Sequence, residues 1–199
     1  HGRGAREKED GAVEQTAELY QVVRAQARLE AAAFVERYVD LPHAEDGCRG
    51  CPNVGQYWTC PPYAFPAAAY WGRFREIELI GQQMHFSDAA LAKTYPPEEL
   101  EELERAVLVR QARLLADEVL PAAPEGSALL TVGGCTLCDS CTRPQGKPCR
   151  RPGAISYSLE SLGCDVGAAV GALWGWKLLW GERTRLPAYL TLVCAVLLP

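Results

Sequence analysis

The sequence ends in the run AYLTLVCAVLL (residues 188–198), which carries no charged side chain. A helix needs ~20 apolar residues to span a bilayer, and this run is too short for that. Its residues are apolar at odd and even positions alike, a pattern typical of a strand that is covered on both faces. We therefore expect residues 188–198 to form an interior strand of a β-sheet.

Two further strands and four helices are predicted upstream of this run. The strands are expected at 76–86 and 127–132. The helices are expected at 11–38, which is rich in Ala, Glu, Gln and Arg, at 67 to about 74, at 96 to about 120, and from Ser156 or Ser158 to about Gly171. Together these elements predict an α/β or α+β fold, in which helices flank a small sheet of about three or more strands.

Composition predicts a globular chain with a hydrophobic core, because 48% of the 199 residues are hydrophobic and 23% are charged. We expect residues 11–199 to form a single metal-binding domain, and residues 1–10 to be a disordered or tag-derived terminus. The formal net charge of −5 offers no basic stripe for nucleic acid. No run is long and apolar enough to predict a membrane-spanning segment.

Cysteine is the unusual feature, with nine residues in the chain. The number is odd, C-x2-C spacing occurs three times, and no secretion signal is visible, so a disulfide framework is disfavoured. Metal-bound thiolates in a reducing, cytoplasmic compartment are the better interpretation. Most of the cysteines lie in two segments, the first thiol loop (residues 43–66) and the second thiol loop (residues 133–152).

The second thiol loop contains Cys135, Cys138, Cys141 and Cys149 in the pattern C-x2-C-x2-C-x7-C. A zinc site usually takes two ligands from each of two C-x2-C turns. Three cysteines at successive x2 spacings are instead typical of bacterial-type ferredoxin segments that hold a [4Fe–4S] cluster. The loop therefore predicts a [4Fe–4S] cluster, with zinc as the alternative metal.

Other residues of the second thiol loop are expected to contact such a cofactor. Gly133 and Gly134 allow backbone N–H groups to approach the sulfurs. Lys147 and Arg150 belong to a set of four bases that surrounds the cysteines together with Arg143 and Arg151, against the single acid Asp139. These bases either receive an anionic substrate or a redox partner protein, or form a solvated loop face.

The first thiol loop contains only three cysteines, Cys48, Cys51 and Cys60, in the pattern C-x2-C-x8-C. A fourth ligand is missing, and the candidates are Cys164, Cys194, His43, His85 and an exogenous molecule. Cys194 alternates within the apolar C-terminal run and is better explained as a buried small hydrophobic residue. Three readings remain: a second cluster, a three-cysteine cluster with one iron open to substrate, and a zinc site with three Cys and one His.

Four motifs occur here in one order: CRGCPNVGQYWTCPP (48–62), GCTLCDSC (134–141), GKPCRRP (146–152) and YSLESLGCDV (157–166). The chain resembles an uncharacterised family of predicted metal-binding proteins of bacteria and archaea, a domain of unknown function. The resemblance implies that the seven cysteines of the two thiol loops are the family's cysteines and lowers the weight of Cys164 as a ligand. It also implies a prokaryotic cytosolic setting, and it implies no established reaction.

Three functions follow from these features. The first is an iron–sulfur protein with one or two [4Fe–4S] clusters, acting in electron transfer or in reductive activation of a partner. The second is an enzyme that uses an open iron held by the three cysteines of the first thiol loop. The third is a structural or interaction module stabilised by zinc. No P-loop, dinucleotide-binding glycine motif or Ser/His/Asp arrangement is present.

Overall fold

The structure is a computed structural model, which describes residues 19–42, 48–51, 53–135 and 137–199. It contains a four-stranded antiparallel sheet with flanking helices, so the fold is α+β, as expected. The strands are β1 (Tyr20–Glu30), β2 (Glu76–Phe86), β3 (Ala128–Leu130) and β4 (Tyr189–Leu198), and their order in the sheet is β1-β2-β4-β3.

Strand β4 is an interior strand of this sheet, between β2 and β3. Its pairing with β3 is antiparallel, with Ala128 opposite Leu197 and Leu130 opposite Ala195. Leu192, Ala195 and Leu197 are fully buried. The prediction from the C-terminal run is therefore confirmed, because a strand with neighbours on both sides and layers on both faces has no surface left for polar side chains.

Five helices accompany the sheet in the described ranges: α1 (Ala31–Tyr38), α2 (Ala67–Trp71), α3 (Asp88–Leu91), α4 (Pro97–Val119) and α5 (Val166–Trp174). Helices α2 and α4 lie where they were expected. Helix α4 begins with proline followed by Glu98 and Glu99, which suits the free N–H groups and the positive end of a helix dipole.

The predicted start of α5 at Ser156 or Ser158 is wrong. The helix begins at Val166, and its cap is Asp165, whose carboxylate accepts a hydrogen bond from the Ala168 N–H at 2.8 Å. Ser158 instead accepts from the Ser161 N–H within a separate 3-10 turn, Glu160–Leu162. The two segments are separated by Gly163, whose φ of +95° is left-handed and ends the turn.

The predicted helix at 11–38 is also wrong over β1, and its residues 11–18 lie outside the described residues. Helix-forming residue types suggested a helix, but residues 20–30 pair with β2 as an edge strand. A charged pair links the two strands: the Arg28 guanidinium on β1 donates to the Glu76 carboxylate on β2 at 3.1 and 2.5 Å. Charged side chains are common on edge strands because they discourage pairing with other chains. Tertiary pairing therefore overrides the intrinsic helix propensity here.

The chain divides into two compact units. Unit 1 contains residues up to Ala25, Gln82–Gln111 and Leu178–Leu192, and unit 2 contains Gln26–Gly81, Ala112–Lys177 and Val193–Pro199. Within unit 1, the Gln111 side chain donates to the Tyr20 hydroxyl at 2.9 Å. The described residues of both thiol loops belong to unit 2. None of the helices in the described ranges combines the length and the apolar character that crossing a membrane requires.

Gly81 on β2 is a packing constraint of unit 2. A Cβ at this position would lie 2.3 Å from the Trp174 ring and 2.7 Å from the Trp176 ring. The two indole rings also pack on each other, with centroids 5.0 Å apart. The strand can accept this pair of tryptophans only because residue 81 has no side chain.

We expect Gly81→Ala to lower the free energy of unfolding by about 1–3 kcal/mol, because overpacking forces the indoles off their preferred rotamers. Urea denaturation followed by tryptophan fluorescence measures this change. Gly171→Ala is the matched control, since its nearest atom would be the Trp176 carbonyl oxygen at 3.7 Å. It lies in α5, where alanine stabilises a helix by up to about 1 kcal/mol relative to glycine. Equal effects of the two substitutions would contradict the packing argument.

Candidate metal centre

The second thiol loop leaves the sheet directly after β3 and returns to it before the 3-10 turn at 160–162. Its base is closed by hydrogen bonds between the two ends. The Thr131 N–H donates to the Tyr157 carbonyl oxygen at 2.8 Å, and the Ser156 hydroxyl donates to the Leu129 carbonyl oxygen. Gly133 adopts a left-handed φ of +65° at the start of the loop, where the chain turns away from the strand. The loop is therefore held at both ends by the sheet.

The four cysteines of the second thiol loop line one small cavity of about 20 Å³, which opens to solvent. All four thiols are half-buried, and none forms a disulfide. Leu137 and Ile155 add apolar surface to the wall, and Arg150 and Arg151 add positive charge. The cavity thus combines soft sulfur ligands, partial shielding from water and nearby cations.

The thiols of this cavity influence one another electrostatically. Partial burial raises the pKa of the Cys135 thiol, and the neighbouring thiolates of Cys141, Cys138 and Cys149 raise it further. Four mutually repelling thiolates are stable together only when a cation or cluster offsets their charge. A backbone hydrogen bond also stabilises the Cys149 sulfur, because the Arg151 N–H donates to its Sγ at 3.4 Å. Backbone N–H···S bonds of this kind orient and tune metal-ligating sulfurs.

The three cysteines of the first thiol loop lie in consecutive tight turns. The Cys51 N–H donates to the Cys48 carbonyl oxygen, and the Cys60 N–H donates to that of Tyr57, both at 3.1 Å. Burial raises the pKa of the Cys60 thiol, as does the Cys51 thiolate, whereas the Thr59 hydroxyl and the Arg143 guanidinium lower it. Burial and then Cys51 also raise the pKa of Cys48. These three thiols therefore form a second group of neighbouring sulfurs.

The residues considered as a fourth ligand for the first thiol loop lie in different parts of the fold. Cys194 is 1% exposed on β4, and burial raises its pKa to about 12. Cys164 is buried as well, which raises its pKa strongly. His85 belongs to unit 1, where it forms a hydrogen bond with Gln83 at 3.1 Å and contacts the Tyr189 ring. His43 lies outside the described residues. Among those that are described, no three His, Cys, Asp or Glu side chains are arranged to hold a metal ion as they stand.

Arg143 joins the two thiol loops. Its guanidinium donates to the carbonyl oxygens of Tyr57 at 2.6 Å, of Cys60, and of Pro62 at 2.9 Å. The same group lies over the Trp58 ring, with Cζ 5.4 Å from the ring centroid. One side chain of the second thiol loop therefore organises a whole turn of the first.

Trp58 and Tyr57 complete this contact from the other side. The Trp58 Nε1–H lies 3.2 Å from the Lys147 carbonyl oxygen and 3.4 Å from Thr142 Oγ1. The Tyr57 ring packs on Gly134, where a Cβ would lie 2.9 Å from Cε2. Because Gly134 has no side chain, the Tyr57 ring can lie close to its backbone. Lys147 has an exposed side chain, and Arg150 lines the cavity while donating to the Ser140 carbonyl oxygen at 3.0 Å.

Sequence reasoning missed Thr59, which also lines the four-thiol cavity. Thr59 is 2% exposed, and its Oγ1 is buried without a hydrogen-bond partner in the part of the chain that the structure describes. The hydroxyl is near enough to Cys60 to lower its pKa, yet the geometry is not that of a hydrogen bond. An unsatisfied buried hydroxyl costs about 1–3 kcal/mol, so a bound acceptor at this place is favoured. By the chemistry of their donor atoms, the four thiols and this hydroxyl fit a bound metal group.

We expect Arg143→Lys to lower the free energy of unfolding by about 1–3 kcal/mol, because an ammonium cannot donate to three carbonyl oxygens in a fixed planar geometry. Limited proteolysis of the folded protein should also become faster between residues 57 and 62. Arg150→Lys is the control, since that guanidinium donates to one carbonyl oxygen of its own loop. Similar stability and cleavage rates for both variants would show that Arg143 does not hold the loops together.

Comparison with known proteins agrees with a metal centre. No curated protein and no solved structure matches the chain. A family model described as "Predicted metal-binding protein (DUF2284)" matches residues 35–198, a range that contains both thiol loops. The chain therefore belongs to the DUF2284 family of predicted metal-binding proteins.

Proposed function

We propose that the chain is an iron–sulfur protein that holds a [4Fe–4S] cluster in the second thiol loop and acts in electron transfer or in reductive activation of a partner. The observation that carries this proposal is the single cavity lined by Cys135, Cys138, Cys141 and Cys149. The assignment of residues 11–199 to one metal-binding domain, in a reducing cytoplasm, is part of the same proposal.

Several features favour a cluster over a single zinc ion. Three cysteines at successive x2 spacings place sulfurs around a larger object, whereas zinc sites usually combine two separate C-x2-C turns. The backbone N–H bond to Cys149 Sγ and the unpaired Thr59 hydroxyl are donors of the kind that surround cluster sulfurs. The alternative is a zinc ion held by the same four thiolates, and measurement of the zinc and iron content distinguishes the two.

The chain's own residues would hold, shield and polarise the group. The four thiolates would hold it, and the side chains of Trp58, Leu137 and Ile155 would exclude part of the solvent. When bound, a [4Fe–4S] cluster supplies one-electron redox chemistry. Arg150 and Arg151 place positive charge on the cavity wall and so favour the more negative, reduced state.

The exposed bases also suggest the chemistry of the partner. Lys147, Arg150 and Arg151 have exposed side chains beside the cavity, and Asp139 is the single acid in the second thiol loop. An acidic face of a redox protein or an anionic substrate fits this surface. Such charge complementarity mainly increases the rate of encounter and its dependence on salt.

We expect anaerobically prepared protein to be brown and to contain about four or eight irons per chain with matching acid-labile sulfide. Cys138→Ser should lose about four irons and four sulfides, because a thiolate of the four-thiol cavity is removed. Iron and sulfide analysis measures both. Cys164→Ala, at a buried thiol outside the two loops, is the control and should retain the wild-type content. A colourless protein with zinc and no sulfide would exclude the proposal.

A second candidate function is supported at the first thiol loop. A cavity of about 340 Å³ lies beside Cys48 and is lined by apolar residues such as Pro61, Phe65 and Pro66. The polar Tyr63 hydroxyl in its wall is already within hydrogen-bond distance of the Thr59 and Ser161 carbonyl oxygens. A metal group on the three thiolates would thus face a space able to receive a small apolar molecule.

For this second candidate, we expect cyanide to change the EPR spectrum of the reduced protein, because a three-cysteine cluster leaves one iron open. The change should be absent in Cys51→Ser, which removes a thiolate of the first thiol loop. It should persist in Cys138→Ser, where only the second thiol loop is altered. A wild-type spectrum that cyanide leaves unchanged would rule out an open iron.

A further inference from the structure

We propose that Thr59, a residue of the first thiol loop, donates a hydrogen bond to the metal group bound by the second thiol loop and thereby sets its reduction potential. This inference rests on the proposed function, because it requires a group with acceptor sulfur atoms in the four-thiol cavity. It gives Thr59 a tuning role at a site whose cysteines lie more than seventy residues further along the chain.

The position of Thr59 is the first part of the argument. Its side chain is almost completely buried, and it lines the same cavity as the four cysteines of the second thiol loop. Its Oγ1 has no hydrogen-bond partner among the described residues. Buried hydroxyls are nearly always hydrogen-bonded in folded proteins, so a partner is expected from whatever fills the cavity.

The comparison with Thr142 makes this point specific. Thr142 is the other buried threonine of the cavity wall, and its hydroxyl donates to the Pro148 carbonyl oxygen at 2.8 Å. A hydroxyl has a single O–H to donate. Thr142 has therefore committed its donor within the protein, whereas the Thr59 hydroxyl, which lies near Cys60, makes no hydrogen bond among the described residues.

The backbone around Thr59 is held against the second thiol loop. Trp58 on one side bonds the Lys147 carbonyl oxygen, and the Cys60 carbonyl oxygen on the other side accepts from Arg143. The Thr59 carbonyl oxygen itself accepts from the Tyr63 hydroxyl at 3.0 Å. With three consecutive residues anchored, the main freedom left to the Thr59 hydroxyl is rotation of its own bonds.

The chemistry gives the direction of the effect. Thiolate and sulfide sulfurs are acceptors, and the more reduced group carries more negative charge. A hydrogen bond to sulfur therefore stabilises the reduced state more than the oxidised state and raises the reduction potential. Removal of the hydroxyl should lower the potential without removing any ligand.

Thr59→Val removes the hydroxyl at nearly constant volume, and Thr59→Ser retains it. We expect the midpoint potential of the second-loop group to become more negative in Thr59→Val, by a several-fold change in the reduction equilibrium; tenfold corresponds to about 59 mV for one electron. Thr59→Ser should stay close to wild type. Potentiometric titration followed by EPR, with iron content measured in parallel, gives the result.

Thr191→Val is the matched control. Thr191 lies on β4, its Oγ1 is also buried without a partner, and it is not among the described residues that line the cavity. Loss of this hydroxyl should leave the midpoint potential unchanged. An equal shift in Thr191→Val and Thr59→Val would show that the effect is general and overturn the proposal.

The other outcomes also decide. A wild-type potential in fully loaded Thr59→Val overturns the inference. A potential change confined to the EPR signal that Cys51→Ser removes also overturns it, since the hydroxyl would then donate to the group held by the first thiol loop. If Thr59→Val does not take up iron, Thr59→Ser decides: normal loading shows that the hydroxyl is required, and equal failure shows that the hydroxyl alone does not support the site, which overturns the inference.

Failure of the proposed function is separately visible. Wild-type protein with zinc and no sulfide would reject the iron–sulfur proposal, and the Thr59 inference is then read from zinc release to a chelator. Several-fold faster release from Thr59→Val than from Thr59→Ser supports the hydrogen bond to the site. Equal release from the two variants overturns it.

Discussion

The metal centre depends on the contact between the Arg143 guanidinium and three backbone carbonyl oxygens of the first thiol loop. Charge-assisted hydrogen bonds from a planar fork fix distance and orientation together, which a single point charge does not. This contact places Trp58 and Thr59 on the wall of a cavity whose sulfurs belong to the second thiol loop. The two loops are thereby parts of one structure, and each contributes to the surroundings of the other.

Around that contact, unit 2 combines charge repulsion with rigid packing. Burial and mutual repulsion disfavour the thiolates of both groups, so a bound metal group would contribute directly to the stability of the fold. Aromatic packing limits how far the loops can move apart. The Tyr63 ring stacks on Phe65 at 5.0 Å and meets the edge of Tyr157, which follows the second thiol loop, at 5.3 Å. The centre therefore has a stiff aromatic side and a more exposed, basic side.

Sequence patterns predicted the fold where local and tertiary preferences agree. Strand β4 and helix α4 each have one dominant signal: continuous apolar residues for the strand, and a proline–acid start for the helix. Strand β1 was mistaken for a helix because its residue types favour helices, while its actual conformation comes from pairing with β2. The start of α5 was misplaced because Ser158 and Asp165 are both good caps, and only Gly163 and the surrounding packing decide between them.

The sequence by itself determined that seven of the nine cysteines form two groups with metal-ligand spacing, because ligand spacing within a loop is a local property of the chain. It also indicated sulfur-only ligation in the second thiol loop and hence a soft metal. Only the tertiary structure decided that Arg143 bonds the first thiol loop and that Thr59 lines the cavity of the second thiol loop. Those partners are separated by more than seventy residues, and no local pattern encodes a contact between a loop that follows β3 and a loop that lies between α1 and α2.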